Sequence, residues 1–261
     1  MRALGRWLLW MLFAAVALQV FFVGRIALMA VLDPQSTAFM RSEAWRIAKQ
    51  SGASNKPLRW SARWVPYDQI SPHLKRAVMA SEDAGFIDHG GVDWDAIRSA
   101  WQKNEQRQAQ ADKRAEQIER RLANKPEAAE AAVKAIKRPK IIGGSTITQQ
   151  LAKNLLLSGE RNLLRKGQEL MLSLTLETLL SKQRILEIYL NSVEWGDGIF
   201  GAEAAAQRYF NKPAATLSPS EAARLAVMLP SPKFFETRQG SAYLARRTST
   251  IVARMGAVQT P

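Results

Sequence analysis

Three stretches of this chain carry side chains able to do chemistry. In the first, Glu82 and Asp83 stand side by side, followed by Phe86 and then His89-Gly90-Gly91. A carboxylate partly desolvated by the aromatic ring would act as a general acid or base near neutral pH, and the glycines let a ligand or another backbone approach. A Glu-Asp pair at a helix exit fits a solvated surface equally well. The second stretch runs from Gly143-Gly144-Ser145-Thr146 through Gln149, Gln150, Lys153 and Asn154. A diglycine leading into a capped helix turns backbone N–H groups and a positive dipole end toward an anion. Gln149 and Lys153 share one face and Gln150 and Asn154 the next, opposite Ile147, Leu151 and Leu155. Such stripes suit the wall of a sugar-diphosphate cleft, or simply the wet side of an amphipathic helix. The third stretch holds Arg161, Arg165, Lys166 and Glu169. Three cations within six residues could neutralise a diphosphate leaving group, Arg offering bidentate contact, with Glu169 kept ionised among them. Read blandly, Arg165 and Glu169 are an i,i+4 surface pair.

Composition removes most other chemistries. The 261 residues include no cysteine and two histidines, His73 and His89. Disulfide scaffolds, thiol catalysis, cysteine-ligated metals and multi-histidine metal sites fall away. Neither histidine lies near a G-x-S-x-G turn. Hydrophobic content of 47% is too high for a disordered polymer. The balance of 37 Lys+Arg against 23 Asp+Glu gives a formal net charge of +14, which suits anionic lipid headgroups or diphosphate-bearing lipids as well as a merely basic surface.

Residues 7–24 are apolar except for Gln19, and Ile26 to Leu32 is apolar again after Arg25. Eighteen such residues span roughly 27 Å as a helix, enough to cross a bilayer core, with Arg25 snorkelling to the interface. Ala15-Val16-Ala17 resembles a signal-peptidase site, but the apolar run continues well past it, which favours an uncleaved anchor. Arg2 and Arg6 place the N-terminus inside and the body outside the cytoplasmic membrane. Residues 1–32 are thus expected to be tip and anchor, 33–57 a linker with a short helix over Ser42–Gln50, and 58–261 the functional domain.

The elements that must position the candidate residues are mostly helical. Ser71-Pro72 opens a helix to about Ser81, leaving Glu82-Asp83 at its exit. Asp93 caps another. Thr146 and Gln149 form a capping box for a helix ending at Ser158-Gly159, and Ser218 with Glu221 forms a second one, with Pro219 at the first position. Further helices are expected over Asn162–Leu180, Lys182–Asn191 and from Ser241, with a short alternating strand at Leu58–Trp64. Residues 103–140, with eleven Lys/Arg, six Asp/Glu and almost no large apolar side chain, read as an inserted pair of solvated helices hinged at Asn124-Lys125-Pro126.

The ordered motifs are more specific than any of these stretches alone. They run Glu82-Asp83-x-x-Phe86-x-x-His89-x-Gly91, then Gly144-Ser145-Thr146-Ile147-x-Gln149-Gln150-x-x-Lys153-Asn154, then Arg165-Lys166-x-x-Glu169. Lys182-x-x-Ile185-Leu186-Glu187-x-Tyr189-Leu190-Asn191 and Gly198-x-x-Gly201-x-x-x-Ala205-x-x-x-Tyr209-Phe210 follow. In this the chain resembles the peptidoglycan glycosyltransferases, the transglycosylase module of class A penicillin-binding proteins. The likeness extends to Glu221-Ala222-Ala223-x-Leu225-Ala226. Ser-x-x-Lys is absent, so it resembles the monofunctional members, without a transpeptidase module.

The resemblance implies a mainly α, lysozyme-like bilobal domain with an N-terminal transmembrane helix and at most a small β-hairpin. It implies polymerisation of lipid II into glycan strands at the outer face of the cytoplasmic membrane. Glu82 would deprotonate the incoming 4-hydroxyl, which attacks C1 of the growing chain, inverts its configuration and expels undecaprenyl diphosphate. Lys153 and Arg161 would hold the diphosphate, and Glu169 would position a cation or polar group there. Asp83, Phe86, Gly144, Ser145, Thr146, Gln149, Gln150, Asn154, Arg165 and Lys166 fall at substrate-binding positions. No organic cofactor is implied, though a divalent cation (Mg or Mn) fits at the diphosphate. Expected partners are lipid II, the growing strand, the membrane, and cell-division or elongation proteins, with no nucleic acid. Residues 103–140 depart from many relatives, and are expected to tune lipid contact or partner binding and not chemistry. Rival readings are a lysozyme-like glycan hydrolase with Glu82 as general acid, and a non-catalytic cell-wall scaffold.

Overall fold

The computed structural model describes residues 2–54, 59–136, 143–157 and 163–261. In chain order these form α1 (Arg2–Leu28), α2 (Ala38–Ser54), β1 (Ser61–Ala62), α3 (Pro72–Glu82), α4 (Trp94–Arg121), α5 (Pro126–Lys134), α6 (Ile147–Leu156) and α7 (Leu163–Leu179). There follow α8 (Lys182–Ser192), β2 (Glu194–Gly196), β3 (Ile199–Phe200), α9 (Ala202–Phe210), α10 (Pro219–Met228), α11 (Pro232–Glu236) and α12 (Ala242–Met255). They divide into two compact units, Met1–Val92 with Thr146–Pro261, and Asp93–Ser145.

The larger unit is built around helices whose starts are written locally. Ser71 accepts the His73 N–H at 3.2 Å, and Pro72 occupies the first turn of α3. Such a cap contributes about 1 kcal/mol. Leu74, Ala77 and Val78 then bury one face of α3 against α10 and α12. Alanines 222, 223 and 226 on α10 let these helices approach closely. Helix α8 buries Ile185, Leu186, Ile188, Tyr189 and Leu190, so that from Ile185 onward only Glu187 reaches solvent. Asn191 at its end donates to Val65 O and accepts from Val65 N, both at 2.9 Å, pinning the segment after β1.

Two departures concern small elements. The short hairpin is present as β2 and β3, but β1 adds a parallel third strand, giving the order β1-β3-β2. The alternation expected over 58–64 yields strand only at Ser61–Ala62, and Leu58 lies outside the described residues. Gly198, at φ +73°, seats this edge: a side chain there would meet the Arg59 carbonyl at 2.1 Å. The helix expected over 42–50 spans Ala38–Ser54 and docks on α6. Ion pairs of Glu43 with Lys233 (2.5 Å) and of Arg46 with Asp197 tie it to the body, so α2 is part of the packed structure.

Helix α1 exposes Leu4, Trp7, Trp10, Phe13 and Phe21, apolar on every side, and is long and apolar enough to cross a membrane. Its C-terminal end is different: Phe22, Ile26 and Met29 are buried, and α1 packs on α7. Arg184 caps the exit, donating to Met29 O at 2.7 Å and Leu32 O at 3.0 Å while pairing with Asp33 and Glu187. The last carbonyls of a helix need such partners.

In the smaller unit, Asp93 Oδ1 accepts the Ala96 N–H at 2.7 Å to cap α4, whose one buried residue is Ala100. Helix α5 follows the break at Pro126 and packs back on α4. The charged stretch therefore holds two helices with a break before Pro126, the first under way from Trp94. Residues 137–142 lie outside the described residues.

Candidate active site

Glu82 is the last residue of α3, where the helix leaves the core. Its half-buried carboxylate has neutral partners. Gln150 Nε2 donates to Oε2 at 3.1 Å and Ser81 Oγ to Oε1 at 3.3 Å. The Gln150 carbonyl in turn accepts the Tyr189 hydroxyl at 2.9 Å, which fixes which end of the amide faces Glu82. Burial raises the Glu82 pKa above the ordinary carboxylate value, and the neighbouring Asp83 charge adds to it against the opposing pull of the two hydrogen bonds. No ion pair reaches Glu82 among the described residues, so nothing holds it firmly ionised. Such surroundings suit a carboxylate that exchanges a proton. Tyr189, wholly buried and facing Glu82 and Asp83, has its phenol pKa pushed well up, so it remains a donor.

Asp83 does different work from its neighbour. Its Oδ2 accepts the Ile147 N–H at 2.9 Å, and its Oδ1 meets His89 Nε2 at 2.9 Å. His89 Nδ1 accepts the Gly91 N–H at 3.2 Å, which leaves the ring proton on Nε2 to be donated to Asp83. Thr146 Oγ1 donates to Gly91 O at 2.6 Å. Gly91 lies at φ +88°, and a Cβ there would sit 2.9 Å from Glu177 Cγ. Lys182 binds His89 O at 2.5 Å and Glu177 at 2.9 Å, and stands 4.4 Å over the Phe86 ring. The end of α3 is thereby locked to the start of α6, which brings Glu82 within reach of Gln150.

Gln150 also borders a cavity of about 340 Å³. Lys153 and Asn154 come to it from α6, Arg165 from α7, Phe39 and Ser42 from α2, and Glu194 from β2. Leu157, Val193, Leu229 and Pro232 complete its lining. Arg165 pairs at 3.2 Å with Glu169, whose second oxygen is bonded to Lys166. Glu169 is buried, and its carbonyl accepts Ser173 Oγ at 2.7 Å. Cations thus meet a polar cavity one hydrogen bond away from a base, an arrangement suited to transfer from a phosphate-bearing donor to a hydroxyl acceptor.

Several expected binding residues serve this frame instead of the cavity. Phe86 is fully buried in the core. Thr146 and Gln149 are buried and spend their polar atoms on the α6 capping box, since Gln149 Oε1 accepts the Thr146 N–H at 3.2 Å. Asp83 is the clamp just described. The stripe expected from Gln149 and Lys153 is therefore split, and Gln150, Lys153 and Asn154 alone of that group line the cavity. Gly144 and Ser145 belong to the smaller unit, where Gly144 packs on α4: a Cβ there would lie 3.1 Å from Ile97 Cα. Arg161 lies outside the described residues.

Sequence reasoning missed Tyr189, Glu194 and the α2 residues. A carboxylate inside the otherwise apolar run Val193-Glu194-Trp195 was the available signal. Glu194 is buried, and its pKa is pushed up to about 7 by burial, with Glu43 and Asp197 adding to the rise and Lys233 opposing it. Oxygens of Glu43, Glu194 and Asp197 lie within 4.8 Å of one another, as in a cation site. Lys233 Nζ already stands among them, at 2.5, 3.3 and 3.8 Å respectively. Both oxygens of Glu169 are likewise taken by cations. With cations already on their oxygens, these donor sets do not fit a resident divalent ion.

A family-wide sequence profile described as Transglycosylase matches residues 52–115 and 123–256, about three quarters of the chain. The chain belongs to the transglycosylase family. A biosynthetic peptidoglycan transglycosylase of Burkholderia thailandensis is 49% identical over 264 residues, covering 100% of this chain and 90% of that protein. Proteins of the same name from Burkholderia pseudomallei and Paraburkholderia xenovorans are 48% and 46% identical, covering 100% and 95% of this chain and 90% and 89% of theirs. The match spans Glu82, Gln150, Lys153 and Glu169, and its one gap falls at the end of α4.

Proposed function

We propose that this chain polymerises lipid II into peptidoglycan glycan strands by inverting glycosyl transfer, releasing undecaprenyl diphosphate. The observation that carries the mechanism is the hydrogen-bonded path from Glu82 through Gln150 to the cavity bearing Lys153 and Arg165. Glu82 takes the proton of the acceptor 4-hydroxyl as that oxygen forms its bond to C1 of the donor strand. The bond from C1 to the diphosphate oxygen breaks on the opposite side, which inverts the configuration. The diphosphate already leaves well, so it needs compensating charge and not a proton, and Lys153 with Arg165 supplies it. Arg161, by its place in the family motif, adds a further cation. Glu169 holds Arg165 and Lys166 in position and keeps the local charge from accumulating unopposed.

Helix α1 anchors the chain in the cytoplasmic membrane with the N-terminus inside and the catalytic body on the outer face. Confinement of enzyme and lipid-linked substrate to one surface raises their encounter frequency. The exposed helices α4 and α5 serve contact with lipid or with division and elongation proteins and take no part in the chemistry.

The test is polymerisation of purified lipid II by the full chain in detergent, resolved by strand length on a gel, with Glu82→Gln beside the wild type. Strands from the wild type and none from a folded Glu82→Gln are expected. Preformed glycan shortened by the wild type, with no polymer made from lipid II, would instead establish the hydrolase.

A further inference from the structure

The joint between α1 and α2 holds two guanidinium groups with no acid paired to them among the described residues. Arg25 lies in the last turn of α1 and Arg41 in the first turn of α2. Arg41 Nη1 donates to Ser36 O and Ser36 Oγ, each at 3.2 Å, and Ser36 lines the same cavity as Arg25. Asp33, the nearest acid in sequence, is engaged elsewhere: its Oδ1 pairs at 2.8 Å with Arg184. Among the described residues neither Arg25 nor Arg41 has an ion pair. Arg25 is half-buried and Arg41 exposed, so an anion bound at this joint would meet positive charge from both elements.

The joint also has room. A cavity of about 230 Å³ is lined by Arg25, Leu28, Met29, Leu32, Asp33 and Ser36, with Pro34 and Gln35 between them. Leu28 and Leu32 are largely exposed, so the cavity offers apolar surface beside a cation. A soluble phosphate would use only the guanidinium groups. A phospholipid would use both, its phosphate on the arginines and the first carbons of its acyl chains on the leucines. The cavity lies at the end of α1, the level of the headgroups when α1 spans the bilayer.

We propose that Arg25 and Arg41 bind the phosphate of an anionic phospholipid at the joint of α1 and α2. The inference rests on the reading of α1 as a membrane anchor and is independent of the glycosyl transfer. It has a structural consequence, because Arg41 sits between Phe39 and Ser42, which line the catalytic cavity. A lipid held there tethers the first turn of α2 and with it that wall.

The experiment uses the full chain in nanodiscs of phosphatidylcholine with phosphatidylglycerol, read by native mass spectrometry of the lipids retained on release. Wild type should retain phosphatidylglycerol in preference to phosphatidylcholine. Arg25→Gln and Arg41→Gln should each lower that preference about fivefold, and the double variant should abolish it. Arg25→Lys with Arg41→Lys, which keeps the charge, should retain most of it and separates binding from misfolding. A double Gln variant with wild-type preference would overturn the site. So would displacement of the lipid by millimolar inorganic phosphate, which would make the ligand a soluble anion. Flotation with phosphatidylcholine vesicles distinguishes the two readings. A wild type that fails to float removes the anchor and the site together, whereas one that floats without lipid preference removes the site alone.

Discussion

Glu82 and Glu169 are the same residue type on helices of the same unit, and their surroundings differ in kind. Glu82 is held by an amide, a hydroxyl and burial, with a like charge next in sequence. Glu169 is more deeply buried yet has a cation on each oxygen. The first environment makes protonation easy, whereas the second surrounds its carboxylate with cations. One carboxylate is therefore suited to move a proton and the other to hold cations in place, and partners decide this more than depth does.

Four substitutions test that contrast. Glu82→Gln should cost at least about a thousandfold in polymerisation rate, the scale of a lost general base, with thermal stability unchanged. A residual rate within tenfold of wild type would break the comparison. Glu169→Gln should behave the other way round. It leaves Arg165 and Lys166 without their anion and should lower unfolding free energy by about 1–3 kcal/mol, measured by denaturant titration, with activity falling as the cations lose their positions. Equal stability of the two variants would remove the distinction.

Gln150→Leu sharpens the first half. It removes a hydrogen bond that lowers the Glu82 pKa, so that pKa should rise further. The base works when ionised, and the acidic limb of the rate profile should therefore move to higher pH, with about a tenfold loss near neutrality. An unmoved limb would mean that Gln150 positions substrate only.

The smallest effect concerns Glu194, which shares burial with Glu169 but lacks its two firm cation partners. Its pKa in the folded chain is about 7, above the ordinary carboxylate value of 4.5. The folded state therefore holds a proton that the unfolded state releases between those values, and stability falls as pH rises through that window. Glu194→Gln should flatten this slope and exceed wild type at pH above 7 by up to about 2 kcal/mol after solvent screening. A wild-type stability flat between pH 4.5 and 7 would contradict the assignment.

Helix starts were legible because a cap is a local device. Ser71-Pro72, Thr146 with Gln149, and Ser218 with Glu221 each state their helix within four residues, and all three form as expected. The break between α4 and α5 followed from Pro126 for the same reason. The candidate site was legible in its residue types, yet the sequence placed Asp83, Phe86, Thr146 and Gln149 at the cleft alongside Glu82, Gln150 and Lys153. Motif spacing records that residues belong together. It does not record which of them touch the cavity and which brace those that do. Asp83 shows why: its carboxylate serves an amide 64 positions away, and no local pattern encodes that contact.

By itself, then, the sequence determined the helical composition, the long apolar N-terminal helix, the charged pair of helices and the set of chemically active side chains. All of these rest on periodicity, caps and residue type within a few positions. Tertiary structure alone decided that α2 walls the cavity, that Arg184 caps the anchor, that Tyr189 orients Gln150 toward Glu82, and that Glu194 is buried beside Lys233. These depend on which distant surfaces meet, and burial and partner charge, the quantities that set a side chain's chemistry, exist only once they have met.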